Sequence, residues 1–172
     1  HATGATARLA TLDDMTYTID PESVEPLISR NTRALLPVHQ FGHPCDMWSL
    51  MSIAERHGLD VIEDARHAHG AAWGGKKVGG FGDGCFSFTD ADVLSAGEGG
   101  MVTTDSAEVA DAVRSLRDNA YYDTAPDELS ACGSRMSDLG AALCRVQLEH
   151  LDDRLAVRSA NARMLTRGLV GI

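Results

Sequence analysis

No stretch of this 172-residue chain holds the roughly 20 consecutive apolar residues that a membrane-spanning helix needs. Its first residues lack the charged-then-apolar order of a secretory leader. Basic residues are outnumbered, 15 Lys and Arg against 25 Asp and Glu, giving a formal net charge of −10. That balance argues against nucleic acid or an anionic membrane as partner, because both require basic patches. The four cysteines, Cys45, Cys85, Cys132 and Cys144, form no Cys-x-x-Cys pair and no dense cluster. Such usage fits a reducing, cytoplasmic setting, with Cys85 and Cys144 read as small core residues.

What is present suits one soluble globular domain with a sizeable core: 44% hydrophobic and 23% charged residues in 18.3 kDa. Apolar patterning predicts a short strand over Ala7–Leu12 and a helix from Pro21 to about Ile28, with proline in its first turn. Buried strands are expected at Ala34–Val38, Leu59–Ile62, Gly84–Phe88 and Gly100–Thr104. Asp46–His57 has apolar residues at helical spacing and ends at Gly58. Ser106 is expected to cap a helix to about Arg117. Ser137–Leu169 reads as one long helical stretch, and Asp118–Gly133 as the only long irregular one. Strands alternating with helices imply an α/β fold with a mostly parallel sheet flanked by helices.

Two segments carry the chemistry. One is Val61-Ile62-Glu63-Asp64-Ala65-Arg66-His67-Ala68-His69-Gly70; the other is Phe86-Ser87-Phe88, a variable stretch, then Gly97-Glu98-Gly99-Gly100. Together with Pro37–Met47, Arg135-Met136-Ser137-Asp138-Leu139, Ala141-Ala142 and Gln147-Leu148, they occur in an order and spacing that resembles the DegT/DnrJ/EryC1/StrS family of sugar aminotransferases. The resemblance runs from about Thr11 to Leu169. It implies part of the large domain of the type I pyridoxal-phosphate aminotransferase fold over residues 1–135. Residues 136–172 would then be a long connecting helix toward a small domain. Family members are about twice as long, so the amino-terminal phosphate-binding turn and ring-stacking aromatic are expected to lie outside this chain. His1 in place of methionine points to a portion of a longer protein or a shortened one.

The resemblance implies pyridoxal phosphate, with Asp64 on the ring nitrogen, His67 where the family has a glutamine near the ring hydroxyl, and Ser87 on the phosphate. Read alone, Asp64 could equally cap the following turn, His67 could be a half-exposed loop histidine, and Ser87 could be a small strand residue. Asp92 stands at the spacing where the family has its Schiff-base lysine, and a carboxylate cannot form an imine. Lys76 and Lys77 read as solvated turn residues rather than substitutes. Gly133 and Ser134 stand where the family has a phosphate-bridging asparagine and a tyrosine.

The expectation is therefore a degenerate member without cofactor, acting as a non-catalytic or partner subunit in nucleotide-sugar or secondary-metabolite biosynthesis. It would form a homodimer, or a heterodimer with a family paralogue. A repurposed enzyme is the second reading, with Asp92 and His67 as an acid–base pair on a nucleotide-linked keto-sugar. A divalent-cation site built from Asp64, His67, Asp90 and Asp92 is a third, and no metal is assigned. Ordinary aminotransferase activity follows from the family alone.

Overall fold

The computed structural model describes residues 3–118 and 134–170. Helix α1 (Met47–His57) forms because both of its ends are satisfied. Asp46 accepts from the Ser49 amide (3.2 Å) and hydroxyl (2.7 Å), and Gly58 closes the last turn at φ 61°. Its buried positions, Met47, Leu50, Ile53 and Ala54, repeat at helical spacing and meet Val24, Leu35, Val61 and Phe81 in the main core. Strands β1 (Ala34–Leu35) and β2 (Asp60–Asp64) are the parallel pair that α1 connects.

Sheet order is β1-β2-β5-β6, with β5 (Asp83–Ser87) parallel to β2 and β6 (Gly100–Thr103) antiparallel to β5. Between β2 and β5 sits a hairpin of β3 (Ala72–Trp73) and β4 (Lys76–Lys77). Gly74 and Gly75 turn it, both at positive φ, as a tight two-residue hairpin loop requires. Helix α2 (Ala107–Arg117) starts at Ser106, whose hydroxyl accepts from the Val109 amide. Arg117 and Arg135 both bind the Asp118 carboxylate, so the residues flanking 119–133 are tied together.

Several elements differ from expectation. Within Ala7–Leu12 only Leu12 pairs, as an isolated bridge to Ile19. Pro21–Ile28 is two 3-10 turns, Pro21–Ser23 and Glu25–Leu27, because Pro26 cannot continue an α-helix. Pro37 interrupts the first sheet strand, and pairing resumes only at the Val38–Asp64 bridge. The long carboxyl-terminal helix is two, α3 (Asp138–Glu149) and α4 (Leu151–Gly168), broken where His150 leaves helical geometry at φ −107°, ψ 11°. Cys144 is buried as expected. Cys85 is exposed, and Cys45 is the most enclosed of the described cysteines, its thiol pushed up to about 11 by burial.

The centre of the sheet holds a charge. Glu63, on β2, is fully buried. Its Oε1 accepts from the amides of Phe81 (2.7 Å) and Gly82 (2.8 Å), and its Oε2 from the Gly79 amide (2.8 Å) and His39 Nε2 (3.0 Å). His39 Nδ1 accepts from the Cys45 amide at 3.1 Å, which puts the ring proton on Nε2, toward the carboxylate. Burial opposes ionisation of Glu63, but His39 and the three amides outweigh it and hold the carboxyl below its ordinary value of 4.5.

Glu63→Gln would turn an NH2 group toward donors, and should destabilise the chain by about 3–5 kcal/mol in urea unfolding. The folded value of Glu63 lies below the unfolded one, so its stabilisation is complete above pH 4.5 and is lost as pH falls through the folded value. The urea midpoint should therefore drop on acidification below 4.5, and drop less in Glu63→Gln.

Candidate functional site

Parallel strands place ligands at their carboxyl ends. Here the residues singled out from the sequence lie at the ends of β2 and β5 and on the loops leaving them, in separate groups. Asp64 ends β2, one residue beyond Glu63 and locked between neighbours: its amide donates to the Pro37 carbonyl (2.9 Å) and its carbonyl accepts from the His39 amide (3.0 Å). The Asp64 carboxylate accepts from the Arg66 amide (3.3 Å), and the Arg66 Nε lies 3.6 Å from it. Asp64 thus caps the turn and already faces a cation. With Leu36, Ile62, Cys85 and Ser87 it lines a shallow depression of about 270 Å³.

His67 does not enter that depression's lining. It is half-buried and parallel to the Phe41 ring, 2° between planes and 6.4 Å between centroids, and its Nδ1 is buried without a partner among the described residues.

Asp92 sits in a different group. Its Oδ2 accepts from the Thr89 amide (2.8 Å) and hydroxyl (2.9 Å), and its own amide donates to the Thr89 carbonyl (3.1 Å). Burial works against its charge, yet the Ser87 and Thr89 hydroxyls, the Thr89 amide and the field of His69 hold the carboxyl below its ordinary 3.8. Asp92 is a carboxylate that closes a four-residue turn. A hollow of about 450 Å³ separates it from the Asp153–Arg158 face of α4.

The histidine whose charge Asp92 favours is His69. It is 5% exposed, lies across Phe86 and Phe88 (centroids 5.6 and 5.8 Å), and neither ring nitrogen has a hydrogen-bond partner among the described residues. Burial pushes it below its ordinary 6.5, and Asp92 offsets part of that shift. In the sequence His69 stands within the Val61–Gly70 motif with no role attached. Nothing in its spacing marks it as buried.

The loop bearing Asp92 is clamped from the helices. Gln147 of α3 donates to the Ser95 carbonyl and accepts from the Ser95 amide, and Arg154 of α4 binds Gln147 Oε1 (2.9 Å) and the Val93 carbonyl (3.4 Å). Phe88, Leu94 and Cys144 pack beneath. Gly133 lies outside the described residues. Asp64, His67, Asp90 and Asp92 are not gathered: among the described residues, no three His, Cys, Asp or Glu side chains are arranged to hold a metal ion.

Lys76 and Lys77 are the chain's only lysines. Both lie on β4, where Lys77 Nζ donates to the Gly70 carbonyl (2.7 Å) and Lys76 Nζ sits 4.9 Å from the Phe81 ring centre.

This α/β half-fold, with an aspartate at the end of its central strand, is that of a sugar aminotransferase. The chain belongs to the DegT/DnrJ/EryC1/StrS aminotransferase family, which it matches over residues 1–172. It is 41% identical to a dTDP-3-amino-3,4,6-trideoxy-alpha-D-glucose transaminase of Streptomyces venezuelae, over 99% of this chain and 46% of that protein. It is 40% identical to a GDP-perosamine synthase of Caulobacter vibrioides, over 90% of this chain and 43% of that protein. The crystal structure of S. venezuelae DesV, in complex with a ketimine intermediate, superposes with a TM-score of 0.92 at 41% identity, covering 99% of this chain and 46% of that one. The chain spans about half the length of the curated relatives it matches.

If Asp92 closes the turn as described, Asp92→Ala should cost about 1–2 kcal/mol in urea unfolding, whereas Asp92→Asn, which keeps an acceptor oxygen, should cost less than half of that.

Proposed function

We propose that this chain is a degenerate sugar-aminotransferase-like scaffold that does not attach pyridoxal phosphate and serves as a non-catalytic or partner subunit in nucleotide-sugar biosynthesis. The observation that carries this reading is the lysine inventory. Capture of the cofactor aldehyde needs an amine, and the chain's two lysines both lie exposed on the β3–β4 hairpin rather than on the loop after β5 that carries Asp92. At the motif position of the family lysine stands Asp92, whose carboxylate is occupied with Thr89. Asp64, the residue that would meet the ring nitrogen, already faces Arg66. These side chains do not fit a covalently held cofactor.

The relatives support the pathway class, since their names specify dTDP- and GDP-linked sugars. A nucleotide-linked sugar is the ligand this reading assigns, and a second copy or a family paralogue is the partner. A second reading, altered acid–base chemistry on a keto-sugar, has one observation in its favour: His69 is buried against Phe86 and Phe88 with neither ring nitrogen partnered among the described residues, and Asp92 favours its charged form.

Treatment with pyridoxal phosphate followed by borohydride tests the first reading. The expected outcome with one equivalent of the aldehyde is no absorbance band above about 400 nm and only the slow, unsaturable labelling that any exposed lysine shows. A saturable one-to-one adduct at a single lysine, with that band, would refute it.

A further inference from the structure

We infer that Phe41 and His67 form a stacking platform for a planar heteroaromatic ring, the base of a nucleotide, at the carboxyl ends of β1 and β2. This rests on the nucleotide-sugar reading above and adds the residues that hold the base.

Phe41 has left-handed backbone geometry, φ 54° and ψ 23°, which bulky residues rarely adopt. Strain of this kind persists only where the surroundings over-determine it, and it clusters at ligand sites. Its surroundings do fix it: the Gln40 amide donates to the Val38 carbonyl (2.9 Å), and the His43 amide to the Gln40 carbonyl (2.9 Å). His39, immediately before this turn, is anchored to the buried Glu63. Among the described residues the only ring contact of Phe41 is with His67. Phe41 is 79% exposed.

The orientation of that ring is the second observation. Its plane matches that of His67 to within 2°, and Gly42 lies so close to the His67 carbonyl that a Cβ there would stand 3.2 Å away. Two loops from adjacent strands therefore present parallel ring faces, one half-buried and one displayed. An apolar π-face suits a flat base. Stacking also tolerates base identity, because every base has such a face. That tolerance matches relatives whose names carry dTDP in one case and GDP in another.

The test is binding of thymidine 5′-diphosphate, with inorganic pyrophosphate as the base-free control, to the 172-residue chain by titration calorimetry. Phe41→Gly is the informative variant, because glycine accepts the left-handed geometry and leaves the turn intact. It should weaken thymidine diphosphate by about tenfold or more and leave pyrophosphate unchanged. Phe41→Trp should retain affinity, with its indole fluorescence quenched on binding. Equal affinity in wild type and Phe41→Gly would overturn the platform while leaving the nucleotide reading standing. A wild-type chain that binds no thymidine diphosphate would overturn both.

Discussion

A carboxylate enclosed at the middle of the sheet organises this molecule. Removing a charge from water is expensive unless it finds partners, and Glu63 finds four. Through them β2 is bound to the turn before β5 on one side and to the His39 loop on the other. Both loops then have a fixed path, and Asp64, the next residue, emerges at a fixed point between β1 and β5. Gly82 makes the arrangement possible, since any side chain there would collide with the Val61 carbonyl. The apolar core around α1 supplies bulk burial, while the Glu63 network supplies the register.

The loop that carries Asp92 draws on different supports. Its turn is closed by Asp92 itself, its apolar residues reach Cys144, and its backbone is gripped by Gln147 and Arg154. Those helical residues are far away in sequence, so α3 and α4 are integral to the mouth. The two histidines of the β2 turn divide between the two regions. His67 turns outward to Phe41, and His69 turns inward beneath Ser87 and Asp92.

The elements legible in the sequence were those whose signals are local. Asp46 and Gly58 bracket α1, Ser106 opens α2, and the apolar runs around Val61 and Phe86 mark strands, all as expected. The family blocks gave the fold class and the order of the site segments. What stayed hidden depended on tertiary partners or on a competing local rule. Glu63 carries no local sign of burial, because the amides of Gly79, Phe81 and Gly82 reach it only in the folded chain. Pro26 was a visible signal that outweighed the helical pattern begun at Pro21, and Gly74-Gly75 was a visible hairpin signal. The break at His150 has no comparable marker. Asp64 caps the turn at its strand end, as its own chemistry allowed, and the burial of His69 could not be read from spacing.

Three of the four groups that hold Glu63 belong to the main chain. Every amino acid except proline carries the same amide, so exchanging the side chain at Phe81 leaves its donor in place. Gly79 and Gly82 are different, because a Cβ at either would collide with Phe86 or with the Val61 carbonyl. The grip on Glu63 therefore asks of its surroundings two absent side chains and one ordinary amide, whereas each reactive group depends on a particular side chain being present.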